Sequence, residues 1–411
     1  MRKNVLEHEA QAADLMALQP RLFLFDSMGI GKTVSALMGL RKATEGLLEP
    51  FRCIVCVPNT LIEQWRLEIA SWVTPWEFQC VVATGDPTQR LIKYDFFMSY
   101  DGNIILLTNY NLLVRDAFFR EVSCQAVVLD EVYLLRNSGT KLYKYLLSFL
   151  PRFDRVYFLS GNASAFSDVQ FYNLVELMFP GEYAFCNKDT LISLLGDRYI
   201  SRGFEVVPRM LDNVPTVDYV PLELIDKQKE LLSQVAVENN QAKKNRVSYK
   251  PRKFYQKRLE VLLSNRLFDS SGVLSPKESF LIKKLSKSGG KTVVYCGNRK
   301  FYRLLRSDFN SFGISFEALS GEMSLERRTR ALNIFINDLN CRCLLITGIG
   351  KLGLNLGVAD ELICMTVPLN RVELEQLIGR LRRLTQTHPI RCYIPYYQDS
   401  DEEVLVEKLR G

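Results

Sequence analysis

Two short segments carry residue types that could handle a phosphate chain. The first reads Asp26-Ser27-Met28-Gly29-Ile30-Gly31-Lys32-Thr33 and stands between an apolar run and an apolar, helix-like stretch. Closely spaced glycines let successive backbone N–H groups turn toward one anion, and a helix start adds its positive end. Met28, Gly29, Ile30 and Gly31 would form the cradle, Lys32 would reach the β- and γ-phosphates of a nucleotide, and the Thr33 hydroxyl would ligate Mg2+. The strict G-x-x-x-x-G-K-[ST] pattern fails at one place, because Asp26 stands where the first glycine belongs. A chance Gly-Lys-Thr at a helix start is the alternative. The second segment, VVLDEVYLL (127–135), ends an apolar run on Asp130 and Glu131. The carboxyl end of a parallel strand is where such sheets bind ligands. Asp130 would hold Mg2+ through water, and Glu131 would orient and deprotonate an attacking water. Acidic pairs also end strands in ordinary turns, so the pair gains its meaning from the phosphate loop upstream in the same predicted sheet.

Positioning these groups requires α/β structure. From 22 to 160, the apolar runs LFLF (22–25), CIVCV (53–57), CVVA (80–83), NIILLT (103–108), AVVLD (126–130) and RVYFLS (155–160) alternate with helical patterns such as TLIEQWRLEIASW (60–72). Continuous apolar strands separated by helices imply a parallel sheet covered on both faces. The pattern returns with TVVYC (292–296), ISFEA (314–318), RCLLIT (342–347), ELICMTV (361–367) and IRCYIP (390–395), with helical stretches such as SLERRTRALNIFIND (324–338) between them. Between the two blocks, residues 161–275 read as longer helices with fewer strands. The expected organisation is one α/β domain over 1–210, a helical and basic insertion and linker over 211–275, and a second α/β domain over 276–411.

Composition sets bounds. A chain of 411 residues suggests two or three domains at roughly 150 residues each. Its 47% hydrophobic and 24% charged content belongs to a folded protein rather than a disordered one. The net charge of +7 favours polyanions. Of ten cysteines, Cys53 and Cys56 form a C-x-x-C, and Cys341 and Cys343 are two apart. Both pairs lie in apolar strand-like runs, and with two histidines no zinc set is completed, so buried free thiols in a reducing compartment are expected. The N-terminus lacks the apolar core and cleavage site of a signal peptide, and no run of 18 apolar residues occurs, so a membrane span is not expected. The stretch QAKKNRVSYKPRKFYQKR (241–258) holds Lys243, Lys244, Arg246, Lys250, Arg252, Lys253, Lys257 and Arg258, no acid, and Tyr249, Phe254 and Tyr255 interleaved. It reads either as a polyanion contact or as a solvated linker face.

These residues resemble the Swi/Snf-type branch of the superfamily 2 helicases. That family's D-E-M-G-L-G-K-T loop matches D-S-M-G-I-G-K-T here, Asp26 included. VPNTLIEQW (57–65) looks like its P-x-x-L-x-x-Q/N-W segment, LLTNYNLL (106–113) like its T-x-Y segment, and LSGNAS (159–164) stands in place of L-T/S-G-T-P. ALSGEMSLERRTRALNIF (318–335), TGIGKLGLNLGVAD (347–360) and QLIGRLRRLTQ (376–386) resemble the family's later segments in the same order. The resemblance implies two RecA-like parallel-sheet domains in tandem with a mostly helical insertion, and ATP hydrolysed with Mg2+ at the cleft between them. It implies an adenine-reading role for Gln11, a cleft position for Gly353, Asn355 and Gln376, and a reach to the γ-phosphate for Arg380 and Arg383. Planar guanidinium groups suit that charge, and such arginines contribute roughly 10³–10⁵ in rate. Nucleic-acid backbone grips are expected at Asn59, Thr60, Thr108, Asn109 and Thr347, and at Lys250, Arg252 and Lys253 of the basic stretch. For the Thr and Asn positions, ordinary helix capping is the alternative.

The departures are Tyr133 after the acidic pair, Asn162-Ala163 in place of Thr-Pro, and Lys351 in place of a glycine. They leave hydrolysis intact and bear on its coupling to movement. Implied partners are nucleic acid, duplex DNA first, with a protein such as a polymerase as the alternative; no membrane and a monomer are expected. The short insertion, and an end 25 residues after the last of these segments, lead to the expectation of a compact motor without a C-terminal reader domain. That motor would come from a bacterium, phage or other virus, and would work in the bacterial or infected-cell cytoplasm to displace bound protein or remodel DNA.

Overall fold

The computed structural model describes residues 4–74, 76–161, 166–207, 214–245, 250–268, 272–321, 323–348, 356–382 and 389–410, with backbone only at 244, 245 and 325. These divide into two compact units, one running through Val207 and one beginning at Val214.

In the first unit every predicted apolar run becomes a strand: β1 (Arg21–Leu24), β2 (Arg52–Val57), β3 (Gln79–Val82), β4 (Ile104–Asn109), β5 (Ala126–Asp130) and β6 (Arg155–Leu159), joined by a short β7 (Tyr199–Ile200). Their order is β3-β4-β2-β5-β6-β1-β7, and every pairing is parallel. Along each strand, alternate residues enter different cores. Phe23, Ile54, Val127 and Phe158 enter one, and Leu22, Leu24, Val55, Val128 and Tyr157 the other. Each buried Leu, Val or Phe contributes about 1.5–3 kcal/mol, so covering both faces is what makes an all-parallel sheet stable. On one face, helix Glu7–Leu18 lies against helix Lys32–Ala43. Gly39 permits the close approach, since a Cβ there would stand 2.7 Å from the Met16 Cβ. That approach brings the first turn of the N-terminal helix to the loop after β1.

The second unit holds β8 (Thr216–Leu222), β9 (Thr292–Tyr295), β10 (Phe316–Leu319), β11 (Cys343–Ile346), β12 (Glu361–Cys364) and β13 (Arg391–Tyr397). All are parallel, in the order β10-β11-β9-β12-β13-β8. β8 differs from the sequence expectation. It lies within the segment read as helical and linker, yet pairs with β13 along its whole length. Its T-V-D-Y-V-P-L sequence alternates instead of running apolar, as suits a strand bonded on one side only. Pro221, which lacks an N–H, is tolerated at such an edge.

Helices Asp226–Asn245 and Pro251–Leu263 follow β8 and pack on each other through Leu231, Val235, Val261 and Phe254. Their base is tied to the second sheet. Buried Gln228 donates to the Val261 carbonyl at 2.9 Å and the Tyr397 hydroxyl at 3.2 Å. Arg266 bridges Glu278 (2.6 Å) and Asp308 (3.1 Å). The ten cysteines are all unbridged and eight are buried, with no metal-binding cluster among the described residues. Among the described residues, no helix is long and apolar enough to cross a membrane.

Candidate functional site

The loop from Phe25 to Gly31 leaves the carboxyl end of β1 and enters helix Lys32–Ala43. Gly31 has φ 107°, and a Cβ on it would stand 1.9 Å from the Glu9 Oε1, so both backbone and space exclude a side chain. Gly31 is also the N-cap, and no side chain caps the helix, so the first-turn N–H groups face the loop's concave side. The Lys32 ammonium donates to the Asp26 carbonyl at 2.7 Å and the Ser27 carbonyl at 3.0 Å, which keeps it curled over the loop. Met28 and Ile30 are buried and anchor the loop, whereas Gly29 and Thr33 are half-buried.

Asp130 closes β5. It is in register with Leu159 of β6, which is in register with Leu24 of β1. The carboxylate therefore lies two strands from the phosphate loop, roughly 10 Å across the same sheet edge. It is 8% exposed. The Trp65 indole donates to its Oδ2 at 2.8 Å and the Glu131 backbone N–H to its Oδ1 at 2.8 Å, while the Tyr110 hydroxyl donates to its main-chain carbonyl at 2.6 Å. Burial first, and the neighbouring Glu131 charge second, push the Asp130 carboxyl up to about 6, against the pull of the Trp65 hydrogen bond and the Lys32 charge. Glu131 is half-buried and left-handed, φ 53° and ψ 48°. For a side chain other than glycine that backbone costs of order 1–3 kcal/mol, and such strain gathers where a side chain must be aimed.

The other expected residues fall into several groups. The segments holding Asn59–Thr60 and Thr108–Asn109 follow or end the paired strands β2 and β4, and Asn109 Nδ2 donates to Asn59 Oδ1 at 3.4 Å. Asn109 also caps helix Tyr110–Arg115, accepting at 3.1 Å from Asn111 and Leu112, and buried Thr108 donates to the Ala83 carbonyl at 3.4 Å. Asn109 thus makes the capping contact named as the alternative, Thr108 is tied to the end of β3, and Asn59 is exposed. Gln11 is exposed and donates to Glu7 at 3.3 Å. The residues of its helix that meet the loop are His8, whose Nε2 lies 2.7 Å from the Ile30 carbonyl, and the buried Glu9.

In the second unit, Thr347 is buried just after β11. Arg380 is buried and Gln376 half-buried on helix Arg371–Leu381. Lys250, Arg252 and Lys253 are exposed at the start of helix Pro251–Leu263, whereas Lys257 pairs with Glu238 (2.6 Å) and Arg258 with Asp401 (2.9 Å). Tyr133 is a packing residue, 5.6 Å from the Phe166 ring and covered by the Arg136 guanidinium at 3.8 Å. Gly353, Asn355, Arg383, Asn162 and Lys351 lie outside the described residues.

Sequence reasoning assigned no role to Trp65, Tyr110, His8, Glu9 or Arg202. Trp65 stands at the end of a quoted segment, which is a usable signal. Arg202 has none. Its side chain grips Asp26 across 176 residues of chain, a pairing set by β7 lying beside β1.

A family model described as the SNF2-related domain matches residues 13–191, and one described as the helicase conserved C-terminal domain matches 276–385. The CHD3-type chromatin-remodeling factor CHR7 of Arabidopsis thaliana is 24% identical over 424 residues, covering 94% of this chain and 34% of that protein. Human SWI/SNF-related matrix-associated actin-dependent regulator of chromatin subfamily A member 1 is 23% identical over 437 residues, covering 94% and 40%. The chain therefore spans about a third to two fifths of the length of these relatives. A solved structure, the Sulfolobus solfataricus SWI2/SNF2 ATPase core in complex with dsDNA, aligns with TM-score 0.46 and 19% identity, covering 100% of this chain and 91% of that one.

Proposed function

The chain belongs to the Swi/Snf-type branch of the superfamily 2 helicases, and from that premise we propose that it hydrolyses ATP to move along duplex DNA. One observation carries the reading. The phosphate loop and the Asp130–Glu131 pair share one carboxyl sheet edge, two strands apart, with Lys32 near enough to bear on the Asp130 charge. Gly29 to Gly31 and the first turn of helix Lys32–Ala43 bind the phosphates through backbone N–H groups, and Lys32 turns from the loop carbonyls to the β- and γ-oxygens.

Mg2+ suits the donors present. Asp130 is a buried carboxylate held by the Trp65 indole and the Glu131 N–H, and the Thr33 hydroxyl opens the adjoining helix. One carboxylate and a hydroxyl are what a cation that keeps waters and phosphate oxygens requires. When bound, it neutralises charge on the transferring phosphoryl group. Glu131, aimed by its left-handed backbone, orients the attacking water and takes its proton. Arg380 and Arg383 serve the γ-phosphate in the role the resemblance gives them, Gly353, Asn355 and Gln376 keep the nucleotide-binding positions it implies, and Gln11 or its loop-facing neighbours serve the base. Asn59, Thr60 and the exposed Lys250, Arg252 and Lys253 contact DNA phosphates, a grip independent of sequence and sensitive to salt. Thr108, Asn109 and Thr347 support the backbone around such contacts.

The test is ATP hydrolysis by the full chain with single-stranded DNA, duplex DNA and RNA. Strand-separation and triplex-displacement assays follow on the best activator. Duplex DNA should stimulate most and displace a triplex without separating strands. Lys32→Ala should abolish turnover, and Glu131→Gln should lower it about 10²–10⁴-fold while still binding ATP. Negligible hydrolysis with DNA binding untouched by Lys32→Ala would make the chain a binding protein. Hydrolysis indifferent to nucleic acid but raised by a protein would move its substrate to that protein.

A further inference from the structure

Asp26 is the sole acid in the loop 26–33. A buried carboxylate in a loop that gathers phosphates opposes its own ligand unless its charge is cancelled. Asp26 is 1% exposed. Arg202 meets it fork to fork: Nη2 donates to Oδ2 at 2.6 Å, Nε to Oδ1 at 3.1 Å, and the Arg202 backbone N–H also reaches Oδ1 at 3.0 Å. The backbones continue the β1–β7 pairing. Phe25 N–H donates to the Ile200 carbonyl at 2.7 Å and Ser27 N–H to the Arg202 carbonyl at 2.8 Å. The remaining arm of the guanidinium, Nη1, donates to the His8 carbonyl at 2.6 Å, and the His8 ring holds the Ile30 carbonyl on the far side of the loop.

One residue thus fixes both limbs of the loop and neutralises its only acid. The two residues it holds, Asp26 and Ser27, are the two whose carbonyls carry the Lys32 ammonium. Arg202 lies outside both matched segments, 13–191 and 276–385.

We propose that Arg202 is a positioning residue for nucleotide binding: it cancels the Asp26 charge and sets the carbonyl perch from which Lys32 reaches the phosphates. This rests on the loop being the nucleotide site. It explains why an acid is tolerated where phosphate loops ordinarily carry glycine. Lysine would be a poor substitute, because a point charge cannot span two carboxylate oxygens and a carbonyl at once.

The experiment is steady-state ATP hydrolysis and equilibrium ATP and ADP binding by the full chain, with melting temperature alongside. The variants are Arg202→Gln, Arg202→Lys, Asp26→Asn, the double variant Asp26→Asn with Arg202→Gln, and Lys32→Ala. Arg202→Gln should raise KM for ATP about ten- to a hundredfold with a smaller change in kcat, as misplacing a positioned group does. Arg202→Lys should recover little of this. The double variant should return KM to within a few-fold of Asp26→Asn alone, because a neutral residue 26 no longer needs a cation; a purely structural arginine would show no such rescue.

Wild-type KM in Arg202→Gln overturns the proposal. If Arg202→Gln does not fold, Asp26→Asn decides it with the double variant: similar KM values support the proposal, and a tenfold gap overturns it. Lys32→Ala separates the two levels. Unchanged ATP binding and turnover in that variant removes the nucleotide-site reading, whereas lost turnover beside a wild-type Arg202→Gln removes only the role of Arg202.

Discussion

In the first unit the buried charged side chains around β1 and β5, namely Glu9, Asp26 and Asp130, gather at one carboxyl sheet edge. In the second unit four of the buried charges, Lys277, Glu278, Asp308 and Glu402, join elements to each other. Lys277 donates to Glu402 at 2.6 Å and to the Met365 carbonyl at 3.0 Å, and Glu402 accepts the Tyr397 N–H at 3.2 Å. Glu278 accepts from Arg266 and from Ser264 (2.9 Å), locking the helices after β8 to the sheet. The first unit has joints of the same kind, Arg90 with Asp116 at 2.6 Å and Asp26 with Arg202 at 2.6 Å. The difference separates two uses of a costly feature. A buried pair closed on itself is a joint, whereas Asp130 is held by an indole and a backbone N–H, with Lys32 near enough to act on its charge.

The sharpest way to break this comparison is at Glu131. Glu131→Gln should lower kcat about 10²–10⁴-fold without lowering the melting temperature; early melting would make Glu131 a joint. Next comes Lys277→Met, expected to destabilise the second unit by about 3–5 kcal/mol because a buried carboxylate loses its cation. Burial holds the Glu402 carboxyl above its ordinary value of 4.5. Its contribution is therefore complete below that value and lost as pH rises, so the variant's deficit in a thermal melt should widen from acid to neutral pH. An unchanged melt at neutral pH would deny the pair its role as a joint.

A smaller effect is expected at the start of helix Pro251–Leu263. Changing Lys250, Arg252 and Lys253 together to Gln should reduce the slope of log affinity for DNA against log salt by up to about three. An unchanged slope returns the segment to a solvated face. Smallest is Glu131→Gly, which should raise stability by about 1 kcal/mol by relieving the left-handed backbone while removing turnover. A loss of stability would mean the Glu131 side chain contributes more than its strained backbone costs.

Much of the first unit was legible in sequence because its signals are local. An apolar run such as AVVLD can satisfy itself only when buried on both faces, and Gly29, Gly31 and Lys32 announce their chemistry within one turn of chain. β8 was missed because its alternating residues look like any exposed segment, and only β13 makes them a strand. Gln11 was given an adenine-reading role by the resemblance alone; that His8 and Glu9 of the same helix meet the loop depends on how the helix packs, with Gly39 against Met16.

By itself the sequence determined the two parallel-sheet units and the placing of the 26–33 loop and of Asp130 and Glu131 at strand ends, since spacing along the chain suffices for each. Tertiary structure alone decided that Asp26 would be neutralised by Arg202, that Trp65 would donate to Asp130 from 65 residues away, and that Glu131 would be held left-handed. Those outcomes depend on which strand lies beside which, and that order follows from packing the whole sheet and is written in no single stretch of residues.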